Sequence, residues 1–274
     1  MVQRPDRKLV ALITGASSGI GKNAALSLLA EDYVVYGAAR RVKRMEDIVA
    51  RGGHAIEMDI TDQASVEAGV DQVLAEQKHI DILINAAGYG QYGAIEDVPL
   101  EDAHRQLETN LFGNARLIQL VLPYMRAQKF GKIFNVTSVG GKIYTPMGGW
   151  YHTSKFAMEG YSDVLRLEVK PFGIDVIVIE PGGTASEWGS IAIREAQRVS
   201  GAGVYRDLLA KYVKIQTNTK GTPPDLISKL ILKALHARRP KTRYHAGQLA
   251  GPILFLRRHL SDRLFDRLVM AAFR

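Results

Sequence analysis

Short, β-branched-rich apolar runs separated by longer amphipathic stretches limit the fold of this chain more than any other feature. The runs fall at residues 9–13, 34–38, 55–58, 82–84, 132–136 and 175–179. They are nearly continuous, as strands buried on both faces require, and do not alternate apolar with polar. Helical periodicity fills the gaps at 20–30, 62–77, 100–127 and 150–169. Strand–helix alternation of this kind predicts an α/β fold, a doubly wound parallel sheet of about seven strands with helices on both faces. No repeat, low-complexity stretch or linker marks a second domain, so residues 1–274 are expected to form one. A chain of 274 residues can bury a large core. Two regions depart from the pattern. Residues 185–222 follow the sixth strand and are expected to form a substrate-binding lid at the carboxyl edge of the sheet, where such folds bind ligands. Residues 246–274 form a basic, amphipathic tail.

Composition then removes several functional classes. The chain has no cysteine, which excludes disulfides, thiolate nucleophiles, Fe–S clusters and cysteine-bound zinc. The seven histidines show no metal-protease spacing, so no metal site is expected. No apolar run is long enough to span a bilayer, and the charged N-terminus does not read as a secretory signal, so a cytoplasmic location is expected. The 36 Lys+Arg against 28 Asp+Glu give a net charge of +8. The positive charges are scattered without aromatic interleaving, which argues against nucleic acid.

The first strand runs into Thr14-Gly15-Ala16-Ser17-Ser18-Gly19-Ile20-Gly21, with a helix following. Glycines at such a turn allow the backbone to approach a pyrophosphate and the helix to pack closely on the strand, with free N–H groups facing the phosphates. This is a Rossmann-type arrangement. Gly15 to Gly19 also match G-x-S-x-G, the nucleophile elbow of hydrolases. That elbow belongs to a central strand with several others before it, whereas only a short segment precedes this one. After the second strand come Arg40 and Arg41 where an NAD site carries an acid for the ribose 2′-OH. Arginine there accommodates a 2′-phosphate, so NADP(H) is favoured over NAD(H).

Tyr151 and Lys155 are spaced i and i+4 on a helical pattern and share one face. An unperturbed phenol, with pKa near ~10, is a poor proton shuttle at neutral pH. An ammonium ~4 Å away at an effective dielectric of ~20 contributes roughly 4 kcal/mol, or about three pKa units before screening. The expectation is therefore a tyrosine lowered toward the range of a general acid/base. Ser138 ends the fifth strand, Asn85-Ala86-Ala87-Gly88 ends the fourth, and Pro181-Gly182 ends the sixth. Asn110 lies mid-helix, where its propensity is poor.

With these residues together, the chain resembles the short-chain dehydrogenase/reductase superfamily over roughly 8–190, and looks like its retinol and hydroxysteroid dehydrogenase-like members. The resemblance implies that Tyr151 exchanges the substrate proton and Ser138 holds the substrate oxygen. Lys155 would bind the nicotinamide ribose and Asn110 would support a proton-relay water. Gly15, Ser17, Ser18, Gly19, Ile20 and Gly21 would form the phosphate turn, and Arg40, Arg41, Asp59 and Ile60 the adenosine end. Asn85 and Gly88 would flank the adenosine ribose, Thr184 and Ser186 would contact the nicotinamide end, and Ala86, Ala87, Pro181 and Gly182 would also line the cofactor. A homodimer or homotetramer is implied, since the family packs its long fourth and fifth helices between subunits.

The expected function is an NADP(H)-dependent oxidoreductase interconverting a lipophilic carbonyl compound and its alcohol. A non-catalytic NAD(P)-binding regulatory or scaffold protein is the alternative. A sugar-nucleotide epimerase is weakened by the small C-terminal region. His152 is expected to be structural, and Glu159, Glu168 and Glu180 to form no pair at one site. The tail carries apolar residues at helical spacing with arginines between them. That pattern fits a helix closing the domain's own core, a dimer-packing helix, or one making weak contact with anionic membrane surfaces.

Overall fold

The computed structural model of the chain describes residues 6–185 and 187–274. Its seven strands, β1 (Val10–Thr14), β2 (Val34–Ala39), β3 (His54–Glu57), β4 (Ile82–Asn85), β5 (Gly131–Val136), β6 (Ile174–Pro181) and β7 (Arg243–Ala246), form one parallel sheet in the order β3-β2-β1-β4-β5-β6-β7. Ile13, Ile84, Phe134 and Ile177 stand in register across its centre. The expected strands are all present, shifted by one or two residues at their ends.

Helices cover both faces. On one side α1 (Gly19–Leu29), the short α2 (Glu46–Val49) and, later in the chain, a helix over Pro224–His236 seal a core that includes Leu28, Val35, Ile48, Ile84 and Ile231. On the other, α3 (Gln63–Gln77), α5 (Gly113–Ala127) and α6 (Gly149–Val169) pack a second core around Leu12, Ile56, Leu83, Leu117 and Val121, and α4 (Leu100–Leu107) lies against α6. Burial on both faces explains why the strand runs are continuous instead of alternating. Asp62 caps α3 by accepting from the Ser65 N–H at 2.6 Å, and Lys78 ends it in the left-handed conformation.

The expected helix over 100–127 is continuous but not uniform. A π-helical turn at Glu108–Phe112 joins α4 to α5, and Asn110 sits inside it. One extra residue in the helical turn re-aims a side chain, so the poor intrinsic propensity of Asn110 marks a local change in helix geometry.

After β6, residues 185–222 form α7 (Glu187–Ser200) and α8 (Arg206–Asn218) above the carboxyl edge of the sheet; Pro224–His236 is α9. The tail forms α10 (Ala250–His259) and α11 (Asp262–Ala272). Phe265, Val269 and Phe273 of this tail are buried with Tyr92, Tyr151, Ala192 and Tyr212 in a third cluster at that same edge. Of the three readings of the tail, its inner face therefore closes the domain's own core.

The order of strands reverses between β1 and β4, and the chain is tightest there. Gly15 adopts φ +68°, and a Cβ on it would lie 2.8 Å from the Ala86 carbonyl oxygen. A Cβ on Gly21 would lie 2.6 Å from the Gly15 carbonyl oxygen. Thr14 Oγ1 accepts from the N–H groups of Ala86 (3.2 Å) and Ala87 (3.1 Å), tying the end of β1 to the segment after β4. Replacing Gly21 with Ala is expected to force α1 off the turn and lower stability by about 1–3 kcal/mol. Urea unfolding of the variant against the wild type measures this, and equal midpoints would contradict it.

Candidate active site

A cleft of about 760 Å³ opens along the carboxyl edge of the sheet over the β1–β4 reversal. One end is lined by Ser17, Ser18, Arg40, Arg41, Asp59 and Ile60, and the other by Ser138, Tyr151, His152 and Trp188. Between them lie Gly15, Gly19, Ile20, Ala86, Ala87, Gly88 and Lys155, with Pro181, Gly182 and Thr184 on the β6 side. One depression thus brings together most of the residues expected from the sequence. Gly21 and Asn85 stand behind its wall. Gly21 is the packing contact of α1 on the turn, and Asn85 is buried with its Nδ2 donating to Asn135 Oδ1 at 2.9 Å. Ser186 lies outside the described residues.

Tyr151, on the first turn of α6, is 6% exposed. Burial pushes its phenol up to about 12, opposed by hydrogen bonding with Ser138. The electrostatic lowering expected from Lys155 is not realised in the free protein. The Lys155 ammonium sits 6.0 Å from the Tyr151 ring centroid, and burial lowers Lys155 itself to about 8. Desolvation therefore penalises both charged forms.

Lys155 Nζ donates to the Val136 carbonyl at 3.0 Å, which fixes the side chain against the end of β5. Asn110 works beside it from the π-turn. Its Nδ2 donates to the Tyr89 carbonyl and to Ser154 Oγ, both at 3.0 Å, and its Oδ1 accepts from the Tyr89 N–H at 3.1 Å. The space at Gly88 is bounded by Asn110 Oδ1 and Lys155 Nζ, 3.0 and 3.7 Å from where a Cβ would stand. Gly88, Asn110 and Lys155 thus form one compact group. Ser138 Oγ accepts from the Gly140 N–H at 3.0 Å, holding the hydroxyl at the end of β5.

Several site residues carry no local sequence signal. His152 lines the cleft: Nδ1 lies 2.9 Å from the Gly140 carbonyl and Nε2 accepts from the Thr145 N–H at 3.1 Å. That pattern places the proton on Nδ1, and burial lowers the imidazole pKa, so the ring is neutral. It staples the loop carrying Ser138 to α6, a structural role at the wall of the site itself. Tyr92 stacks on Tyr212 (centroids 5.0 Å) and tilts against Tyr151 (5.4 Å), while Trp188 lies 5.0 Å from Tyr151. These rings come from four different elements, so spacing along the chain could not have joined them.

The acidic residues behind α6 also correct the sequence reading. Glu159, one turn beyond Lys155, and Glu180 on β6 are both buried and share Arg243, whose guanidinium lies 3.0 Å from Glu159 Oε2 and 3.5 Å from Glu180 Oε1. Thr137 Oγ1 donates to Glu159 Oε1 at 2.6 Å, and Lys142 Nζ lies 3.0 Å from its Oε2. The pair was invisible because β7, which brings Arg243, follows 60-odd residues after β6 (roughly, by chain position) and joins it only by sheet pairing.

The nicotinamide cofactor implied by the sequence can be tested against this geometry. The Gly15–Ala86 approach leaves the backbone bare at the strand reversal, and Ser18 precedes α1 without its side chain capping the helix. An uncapped helix N-terminus over an elongated cleft suits a pyrophosphate. The residues fit the group.

A sequence profile of the short chain dehydrogenase family matches residues 9–195. The chain is 37% identical over 243 residues to a 3-ketodihydrosphingosine reductase of Bacteroides thetaiotaomicron, covering 88% of each chain. It is 32% identical to an NADPH-dependent 3-dehydrocapnine reductase of Ornithobacterium rhinotracheale, covering 94% of this chain and 95% of that one. Among solved structures, a short-chain dehydrogenase from Streptomyces avermitilis superposes with a TM-score of 0.83 at 29% identity, covering 96% of both chains. The chain belongs to the short-chain dehydrogenase/reductase family, oxidoreductases of CH–OH groups that use a nicotinamide cofactor.

Burial, the charge of Glu159 and the opposing pull of Arg243 leave Glu180 raised from its ordinary 4.5 to about 7. The folded protein therefore holds this proton through a range in which the unfolded chain has released it, and stability falls as pH rises across that window. Replacing Glu180 with Gln removes the penalty. Its stability relative to the wild type is expected to improve by on the order of 1–3 kcal/mol between pH ~5 and pH ~8. Urea unfolding at both values measures this, and a difference independent of pH would contradict it.

Proposed function

We propose that this protein is an NADP(H)-dependent reductase of a lipophilic ketone or aldehyde, working in the cytoplasm and running in either direction as the nicotinamide pool dictates. One observation carries the reading: a single cleft joins a serine–arginine end, Ser17, Ser18 and Arg41, to the Ser138–Tyr151–Lys155 group. Arg41 donates toward the hydroxyls of Ser17 and Ser18 at 3.4 Å each, which suits a ribose phosphate better than a bare 2′-OH. Arg40 is the weaker candidate, being 78% exposed and 3.9 Å from Asp59.

The bound nicotinamide nucleotide would supply the hydride. Ser17, Ser18, Gly19 and Ile20 would hold its phosphates, Gly88 would flank its adenosine ribose, Lys155 would bind its nicotinamide ribose, and Asn110 would support a proton-relay water at Lys155. Ser138 would hydrogen-bond the substrate oxygen, and Tyr151 would deliver the proton to that oxygen. A phenol raised to about 12 is fully protonated at neutral pH, which equips the free protein as a proton donor. For Tyr151 to return to its resting state it must draw on a proton source, a role that Lys155, lowered to about 8 and 6.0 Å from the ring centroid, would fill through the relay water at Asn110.

A lipophilic substrate is supported by the rings of Tyr92, Tyr151, Trp188 and Tyr212 above the cleft, with Phe265 and Val269 behind them. Two relatives are named as reductases, one of them as NADPH-dependent. Residues 185–222 act as the lid, since Trp188, Ile191, Glu195 and Gln216 face the cleft from α7 and α8. Assembly as a homodimer or homotetramer is part of the reading. Phe112, Phe156, Val164 and Leu167 are exposed along the π-turn and α6, the long helices that the family packs between subunits.

The outer face of the tail completes it. Phe255, Leu264 and Leu268 are exposed, and Arg258, Arg263 and Arg267 make no ion pair among the described residues. An apolar strip beside unpaired arginines suits an anionic bilayer surface. No helix among the described residues is long and apolar enough to cross a membrane.

Titration followed by nicotinamide fluorescence is expected to give NADPH binding about tenfold tighter than NADH. Equal binding would remove the cofactor preference, and no binding of either would remove the enzyme reading. Tyr151→Phe is expected to keep NADPH affinity and lose about 10²–10⁴-fold in turnover; unchanged turnover would remove Tyr151 from the proton transfer, whereas a wild type that binds NADPH and turns over no carbonyl would leave the scaffold alternative. Full-length protein is expected to co-sediment with phosphatidylglycerol vesicles at low salt, and the double variant Leu264→Glu/Leu268→Glu to remain in the supernatant. Failure of the wild type to co-sediment would refute the membrane contact.

A further inference from the structure

The arginines at the nucleotide end of the cleft already hold an anion, and it comes from the lid. Glu187, the first residue of α7, accepts from Arg41 Nη1 at 3.0 Å and from Arg44 Nη1 at 2.5 Å. Among the described residues it is the ion-pair partner of both. Arg41 simultaneously donates to Ser17 and Ser18 at the phosphate turn. The guanidinium that the proposed 2′-phosphate would use is therefore bound to a carboxylate some 146 positions away in sequence. The next residue, Trp188, tilts against Tyr151 with centroids 5.0 Å apart and meets Tyr92 edge-on at 5.6 Å. Two adjacent residues thus link the nucleotide end of the site to its reacting end.

We propose that Glu187 sets nucleotide specificity: its carboxylate is the counter-ion that a ribose 2′-phosphate displaces from Arg41 and Arg44, so that a nucleotide bearing this phosphate releases the start of α7 and one lacking it leaves α7 pinned. The inference rests on the NADP(H) reading of the site. Its physical basis is competition between like charges. A phosphate carries about −1.5 to −2 charges and three strong acceptors, and it cannot share the same guanidinium with a carboxylate without repulsion. The carboxylate is the weaker claimant, because Glu187, Arg41 and Arg44 are each more than two-fifths exposed, and ion pairs this open are worth little. The exchange is local, yet its consequence is carried along α7 through Trp188. A 2′-hydroxyl has no charge with which to compete, so NAD(H) would leave the ion pairs intact. End of β2 carries no acid to receive that hydroxyl, and Glu187 faces the arginines from the opposite rim.

The test uses the full-length protein and two probes that lack nicotinamide, adenosine 2′,5′-bisphosphate and adenosine 5′-monophosphate, titrated calorimetrically. Glu187→Gln is expected to bind the bisphosphate about three- to tenfold tighter than the wild type, with the monophosphate changed by less than about twofold. Hydrogen exchange across 187–200 is expected to accelerate in the wild type with the bisphosphate but not with the monophosphate. In Glu187→Gln it should be fast without either probe. Bisphosphate binding that is unchanged or weaker in Glu187→Gln overturns the proposal, as does exchange in the wild type that ignores the 2′-phosphate. Arg41→Gln separates the two levels of the argument. If it abolishes the preference for bisphosphate while Glu187→Gln has no effect, the cofactor reading stands and the role of Glu187 falls. If the wild type binds both probes alike and Arg41→Gln changes nothing, the cofactor reading itself falls and takes the proposal with it.

Discussion

The close approach of two backbones at the reversal of strand order is the constraint on which the rest of the molecule depends. Thr14 binds the Ala86 and Ala87 amides, Gly15 lies against the Ala86 carbonyl, and Gly21 lets α1 sit on the turn. A side chain at Gly15 would strike the backbone of Ala86 and Ala87, and one at Gly21 would push α1 off the turn. The same absence of side chains that packs the helix also exposes the backbone donors of its first turn. Stability and ligand binding are here consequences of a single steric fact.

Burial dominates the electrostatics of the reacting end. Tyr151 and Lys155 are each penalised in their charged form, and the two shifts bring the phenol and the ammonium to about 12 and about 8. Behind them the buried carboxylates of Glu159 and Glu180 are balanced by Arg243, with Lys142 and Thr137 adding to Glu159. A buried charge without a partner is costly, so Arg243, which faces both carboxylates, is the member whose loss the network would tolerate least. It also anchors α6 to β6 and β7, so the helix that carries Tyr151 and Lys155 is held from below as well as by the sheet.

The upper half of the site is assembled differently. Its aromatic rings are contributed by the loop after β4, by α6, α7 and α8, and are backed by α11. Such an arrangement makes the environment of Tyr151 sensitive to elements remote in sequence, and it joins the lid to the tail. His152 adds rigidity by binding Gly140 and Thr145 on the loop that presents Ser138. The π-turn at Asn110 performs the same office on the other side, fixing the backbone of Tyr89 in the segment after β4.

Short-range pattern determined the fold class, the strand and helix positions, the glycine turn and the Tyr151–Lys155 face, because periodicity and backbone sterics act over a few residues. The arginines after β2 were legible for the same reason. Tertiary structure alone decided that Asn85 turns into the core, that Glu159 and Glu180 meet at Arg243, and that Glu187 reaches back to Arg41 and Arg44. It alone decided the charge balance of Tyr151, since helical spacing gives proximity but desolvation depends on everything packed around the ring. Local order is written in neighbouring residues, whereas burial and long-range ion pairs belong to the closed sheet and the helices folded over its edge.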